Sequence, residues 1–364
     1  MRVAIIILIL LPFSILGDQA VLFGNLTKKI EKESKEAIEA DHFSAVSISV
    51  WKKGVRVLSV NEGWVNSKTP DKKVTEKTVF DLASLTKPLV VLTLFLELEK
   101  NGLLNRNWLI SKFYPEITRE ITLFDLLTHK SGLPAYADFF KCKKENTLEK
   151  KKKRVVEYIC KNTKTYSNRY SDINYILLGF VIEKVTGKSL DHSFKELLSK
   201  KFPSIKSFSY SPLKNGVDVS KVAATSFSPH RGRVVQGEVE DENSVYLDGI
   251  SGHAGLFGTA DDISHFYSLL LKDKFYRKVI VEQIGFDKKE GANSNFGSVA
   301  TTDCSGHLGW SGTAFLICPK DEIVVTILTN RTHSNKFKKE DFTNIKAFRR
   351  SVFDAVLLES KKYF

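Results

Sequence analysis

The 364-residue chain is predicted to fold as an α/β protein of the α+β kind. The expected core is an antiparallel sheet flanked by terminal helices, with a mostly helical region inserted between its early and late strands. Three observations predict it. Alternating, β-branched runs stand near both ends of the chain, apolar helical runs fill the middle, and amphipathic helical patterns precede the first strands and follow the last. With 42% hydrophobic and 27% charged residues, the composition supplies a core for one large domain or two small ones.

Along the chain, Arg2 precedes an apolar run that ends at Leu16, with Gly17 before a polar stretch. This reads as a secretory signal peptide, residues 1–17, ahead of a single domain over 18–364, and the expected location is secreted or periplasmic. The apolar run is shorter than the roughly 20 residues a membrane span needs, and Pro12 interrupts it. The alternative is an uncleaved N-terminal anchor. Residues 19–39 form a Lys- and Glu-rich amphipathic helix pattern. SAVSISVWKKGVRVLSV, from Ser44, then alternates as two strands with a hairpin turn at Gly54. SLTKPLVVLTLFLELEK, from Ser84, is an apolar helix stopped at Asn101-Gly102, and it opens the helical region, roughly 84–290. Within that region, INYILLGFVIEKVTGKSL forms a second apolar helix. HLGWSGTAFLICP and EIVVTILTN return to strand character across a Pro319-Lys320-Asp321 turn. A last amphipathic helix places Ile345, Phe348, Val352, Phe353 and Val356 on one face.

Charge and cysteines narrow the function. The net charge of +13 is concentrated in runs such as KCKKENTLEKKKKR, read as a solvated basic face, with attraction to an anionic envelope polymer or lipid surface as the sharper reading. An exported chain without a recognition motif is a poor nucleic-acid binder. The four cysteines permit disulfides, with Cys142–Cys160 and Cys304–Cys318 as the local pairings, although spacing does not fix connectivity. There is no CxxC or His-x-x-x-His spacing, so neither a metal nor a cofactor is expected.

Ser-x-x-Lys occurs from Ser49, Ser84 and Ser211. On a strand, Ser49 and Lys52 point to opposite faces, and Ser211 precedes a proline in a loop. Ser84 starts a helix, so Lys87 shares its face one turn on, near the positive end of the helix dipole. A serine hydroxyl is a weak nucleophile until a base takes its proton, and a lysine in an apolar cleft suits that task. The bland alternative is a helix-capping serine beside a surface lysine.

DLASLTKP, LLTHKSGLP, YSDINYILLG, GHAGLF and GHLGWSGT follow in order, with RGRVVQGEVEDEN ahead of GHAGLF. Together they resemble the class C β-lactamase-related serine hydrolases, which include penicillin-binding proteins, D-Ala-D-Ala carboxypeptidases and esterases. The resemblance implies a β-lactamase/transpeptidase-like fold, with Ser84 as the acylated nucleophile, Lys87 as its partner and Tyr170 as a proton shuttle. It also implies that the family's Lys/His-Thr-Gly element falls on His307, Leu308 and Gly309, and that Trp310 and Ser84 supply the oxyanion-hole N–H groups. Gly309 is expected to leave room for substrate. Asp172 stands where Asn is common, either as a site residue or as a helix cap. Leu308 stands where Thr usually meets a substrate carboxylate. Both departures favour an ester or amide hydrolase over a β-lactamase. The implied substrate is a small molecule or peptide, a cell-wall D-alanyl peptide or peptidoglycan among them. The alternatives are a β-lactamase and a weak or inactive peptide-binding homologue. His129 and His253 are expected to organise loops, Tyr136 to line the cleft and Tyr166 to pack at its edge. Glu240 is assigned no role.

Overall fold

The computed structural model describes residues 13–362 except 142–144, 163, 168, 292 and 339–341, with backbone alone for 13–22. A six-stranded antiparallel sheet forms the centre. Its strands are β1 (Ala45–Lys52), β2 (Val55–Gly63), β3 (Asp287–Lys288), β4 (Ser305–Leu308), β5 (Ala314–Cys318) and β6 (Ile323–Thr329), in the order β2-β1-β6-β5-β4-β3. The first and last strands of the chain thus meet at the middle, with Val46 opposite Thr329 and Lys52 opposite Ile323. The β1–β2 connection is as tight as a hairpin can be. Lys53 and Gly54 both have positive φ (49° and 79°), the combination a type I′ turn requires.

β5 and β6 are apolar on both faces because both faces are covered. Alternation sends Ala314, Leu316, Ile323, Val325 and Ile327 to one side. There they meet Leu26 and Ile30 of helix α1 (Phe13–Glu39) and the apolar stripe of the last helix, Thr343–Lys361, with Ile345, Phe348, Val352, Phe353 and Val356 all buried as expected. The other side, with Phe315, Ile317, Val324 and Leu328, packs on Ile263, Phe266 and Tyr267 of the helix Ala260–Leu270 and continues into the core of the helical region. The sequence-based helix over 19–39 extends back to Phe13, so the expected cleavage point after Gly17 falls within α1, and most of the expected signal peptide lies outside the described residues.

Two expectations need correction. HLGWSGTAFLICP is two strands rather than one run. The chain reverses at 309–313, where the Gly309 N–H donates to Thr313 O at 2.7 Å and Gly312 takes a φ of +100°. The edge strand β3 also falls inside the stretch read as helical. Two residues are too few to show a period. The basic run is partly tied down: in helix Leu148–Lys161, Lys151 reaches Asp248 at 2.6 Å and Lys152 reaches Glu183 at 2.7 Å.

Of the two local cysteine pairings, Cys304–Cys318 forms and joins the start of β4 to the end of β5. Cys142 lies outside the described residues, and Cys160 is exposed with its thiol donating to Glu116 O. The bridge closes a loop with a sequence separation of 14. Replacing both Cys304 and Cys318 by serine is therefore expected to lower unfolding stability by about 3 kcal/mol, measurable as a shift in the urea midpoint that reducing agent reproduces in the unaltered protein.

Candidate active site

The segment carrying Ser84 is held on three sides. Asp81 ends a short strand, Phe80–Asp81, that pairs with Leu256–Gly258. Its carboxylate accepts the Ala83 N–H at 2.9 Å, while Ala83 itself adopts φ +48°, a left-handed conformation that a residue with a Cβ rarely takes. The Thr86 hydroxyl donates to Ala83 O at 2.7 Å and accepts from Leu256 N at 3.1 Å. Ser84 then sits in a 3-10 turn, Ala83–Leu85, rather than in a regular α-helix. A π-helical stretch, Lys87–Leu92, follows before the α-helix Thr93–Lys100. Pro88 accounts for the irregularity, because it lacks the N–H that would close on the Ser84 carbonyl and its ring crowds that carbonyl.

Lys87 is fully buried, and its ammonium has three partners for three donors: Ser84 Oγ at 2.9 Å, His253 O at 3.1 Å and Asp172 Oδ1 at 2.8 Å. Asp172 is the first residue of the helix Asp172–Thr186. Ser171 occupies the cap position without a side-chain cap bond, so the Asp172 carboxylate serves Lys87 rather than capping the helix. Tyr170, one turn of loop earlier, lies with its ring 4.9 Å from Lys87 Nζ. It is 40% exposed at the cleft mouth, yet desolvation of its hydroxyl, and after that the Asp172 and Asp287 charges, hold its pKa well above the ordinary value. A hydrogen bond with Ser84 pulls the other way. Tyr166 is elsewhere, with Lys164 and Arg169 over its ring; Asn168 of the first Tyr-Ser-Asn lies outside the described residues. The other Ser-x-x-Lys pair on a strand is separated as expected, Ser49 donating to Asp261 and Lys52 to Ser360 O.

The two loop histidines organise their surroundings. His129, at φ +57°, accepts the Ser171 N–H on Nδ1 and stacks 4.3 Å from the Tyr170 ring. Burial first, then the Lys87 and His307 charges, lowers its pKa to about 3, so it is neutral at working pH. His253 bonds Ser251 and Asp241, and its carbonyl is the one that receives Lys87. Its neighbour Gly252 is required by packing, since a Cβ there would lie 2.1 Å from Tyr175 O of the helix Asp172–Thr186.

The turn after β4 lies along the Ser84 segment. Ser311 Oγ donates to Asp81 O, and Thr313 Oγ1 to Leu82 O. Gly309 is constrained by the protein itself: a Cβ there would meet Thr313 Oγ1 at 1.9 Å and Leu82 O at 3.0 Å. Trp310 is 37% exposed, and its carbonyl is held by Arg331 Nε at 3.1 Å. Ser84, Tyr136, Tyr170, Asp172, Gly309 and Trp310 all line one cleft of about 1270 Å³, larger than a drug-sized pocket. His307 does not. It is 2% exposed, with Nδ1 turned to Leu308 O, and burial lowers its pKa; the residue that β4 presents to the cleft is Leu308.

Sequence reasoning missed several groups. Arg349, one turn beyond Lys346 on the last helix, is 3% exposed and bonds the carbonyls of Gly309, Gly312 and Thr313. Burial lowers its pKa to about 9. In the sequence it is half of an Arg-Arg pair indistinguishable from a solvated face. Asp81, which is buried, and Glu240, which is half-buried, form a carboxyl pair on the cleft wall beside the Ser84 turn. Asp81 accepts the Glu240 N–H, while Glu240 accepts Ser226 and Thr332 hydroxyls. Burial pushes Asp81 to about 6; burial and the Asp81 charge push Glu240 to about 7.

The family model described as Beta-lactamase matches residues 29–349. The chain belongs to that family. It is 31% identical to the N-acetylmuramyl-L-alanine amidase of Bacillus subtilis (strain 168), covering 75% of this chain and 72% of the relative. It is 29% identical to a putative D-alanyl-D-alanine carboxypeptidase of Escherichia coli (strain K12), covering 72% and 71%. Among solved structures, EstCE1, a hydrolase with promiscuous acyltransferase activity, superposes with a TM-score of 0.71 at 19% identity over 94% of this chain and 100% of that one, which shows the shared fold. The β-lactamase/transpeptidase-like fold expected from the motifs is the one observed, and the family relation is to hydrolases.

Glu240 also makes stability depend on pH. Its folded pKa of about 7 lies above the 4.5 of the free group, so the contribution is complete below about pH 4.5 and is lost as pH rises through 7. Between pH 5 and pH 8, Glu240→Gln is expected to lose less stability than the unaltered protein. Urea midpoints at the two pH values measure this, and equal losses would contradict it.

Proposed function

We propose that this chain is an exported serine hydrolase that cleaves an amide or ester through an acyl-enzyme on Ser84, with a cell-wall peptide as its substrate class. The observation that carries the reading is the convergence of Ser84, Lys87, Tyr170 and Asp172 from two distant segments, with Ser84, Tyr170 and Asp172 lining an open cleft and Lys87 buried behind them. The names of the amidase and carboxypeptidase relatives support a peptidoglycan-derived substrate. The Cys304–Cys318 disulfide fits an oxidising compartment.

In this mechanism Ser84 Oγ attacks the carbonyl carbon. The buried Lys87 ammonium, already donating to Oγ, stabilises the alkoxide character that develops there, and backbone N–H groups of Ser84 and Trp310 receive the carbonyl oxygen. Burial and the nearby carboxylates keep the proton on Tyr170, so it works as a neutral phenol. It takes the Ser84 proton while giving its own to the leaving nitrogen or oxygen, so no net charge is left on the ring. Water then releases the acyl group by the reverse relay.

Leu308 presents no hydroxyl to the cleft, which favours an amidase- or esterase-like preference over a carboxypeptidase or β-lactamase. The test is labelling with a fluorophosphonate and turnover of p-nitrophenyl esters. Ser84→Ala is expected to abolish both. Tyr170→Phe is expected to slow acylation about 10²–10⁴-fold, while Tyr166→Phe leaves it within about twofold. No Ser84-dependent adduct would favour the inactive homologue, and nitrocefin hydrolysis faster than ester hydrolysis would favour the β-lactamase.

A further inference from the structure

Among the described residues, Asp287 is a cleft carboxylate without a lysine or arginine in an ion pair with it. Of the other carboxylates on the cleft wall, Asp172 has Lys87, Asp241 has His253 and Glu242 has Arg231, while Asp81 and Glu240 accept backbone N–H and hydroxyl donors and have their pKa values raised by burial. Asp287 lies on the edge strand β3, opposite Gly306, and its Oδ2 accepts the Leu308 N–H at 3.2 Å. Its nearest basic group is His307 Nδ1 at 4.0 Å, which burial keeps from charging near neutral pH. Among the described residues, no lysine or arginine lies within 4.0 Å of it. Its side chain is 33% exposed and lines the cleft beside Leu308, Gly309 and Trp310.

A substrate with its carbonyl between Ser84 and Trp310 and its chain along the β4 edge meets Leu308 and Asp287 together. A carboxylate at that point finds an apolar side chain, no hydroxyl and a like charge. Two cations line the same cleft, Lys346 and Arg349; Arg349 is buried and committed to three main-chain carbonyls, whereas Asp287 is the charge hydrogen-bonded to the Leu308 N–H. An amide, an ester or an amine meets no such penalty.

We propose that Asp287 is a specificity-determining residue that turns away substrates bearing a carboxylate next to the scissile bond, so that the chain cleaves internal or otherwise neutral linkages rather than a free C-terminal dipeptide. The inference rests on the serine-hydrolase reading and names the substrate class of that site.

A matched pair of aryl esters tests it, the leaving phenol carrying either a meta-carboxylate or a meta-carboxamide. The readout is the ratio of kcat/KM for the two, at low and high salt. The unaltered protein is expected to prefer the carboxamide ester by about tenfold or more, less so at high salt. Asp287→Asn keeps an acceptor for the Leu308 N–H and removes the charge, and is expected to shrink the preference about tenfold. Asp287→Glu is expected to retain it. A preference for the carboxylate ester, or the same ratio in the unaltered protein and Asp287→Asn, overturns this inference alone. Absence of any Ser84-dependent turnover or fluorophosphonate adduct overturns the hydrolase reading and the inference with it.

Discussion

The buried ammonium of Lys87 is the constraint on which the site depends. A lysine taken wholly out of water must find a partner for each of its donors, and each of the three comes from a different stretch of chain. Ser84 lies one turn before it, His253 in the loop that leads to the strand Leu256–Gly258, and Asp172 at the start of the helix Asp172–Thr186. Satisfying one charge therefore brings the Ser84 hydroxyl, the Tyr170 phenol and the cleft wall together. Elsewhere the packing supports that meeting. Gly252 lets the His253 loop press against Tyr175, and Gly309 lets the β4 turn lie on the Leu82 carbonyl.

Charge is distributed with the same economy around the cleft. The ammonium is balanced by Asp172, and the Arg349 guanidinium behind the β4 turn is absorbed by main-chain carbonyls. The Asp81–Glu240 pair is kept from full ionisation by burial. What remains facing the substrate is mostly aromatic or apolar, from Tyr136 and Tyr170 on one wall to Leu308 and Trp310 on another. Part of the excess basic charge is paired away from this space, as in Lys151–Asp248 and Lys152–Glu183.

The sheet hairpins and the terminal helix were legible because burial on a covered sheet or helix face imposes a period that survives in the sequence. Strands read within 44–60 are found at Ala45–Lys52 and Val55–Gly63. Ser84, Lys87 and Tyr170 were legible because motif and context agree at those positions, and the structure brings them together. The illegible parts are those fixed by distant contacts. A two-residue edge strand carries no period, and the side to which His307 turns depends on the register of β4 against β5. The buried Arg349 has the same neighbours in sequence as an exposed one. Asp172 admits two roles from sequence alone, and only its ion pair with Lys87, a contact across the fold, decides between them.

The left-handed backbone at Ala83 carries a further meaning. A residue with a side chain holds that conformation only while something else insists on it. Here the insistence comes from Asp81, from the Thr86 hydroxyl, and through Thr86 from Leu256, far along the chain. In a chain only partly folded, the backbone before Ser84 relaxes, and its hydroxyl is no longer aimed at the cleft. The placing of the Ser84 hydroxyl in the cleft thus depends on contacts that exist only once segments far apart in the chain have met.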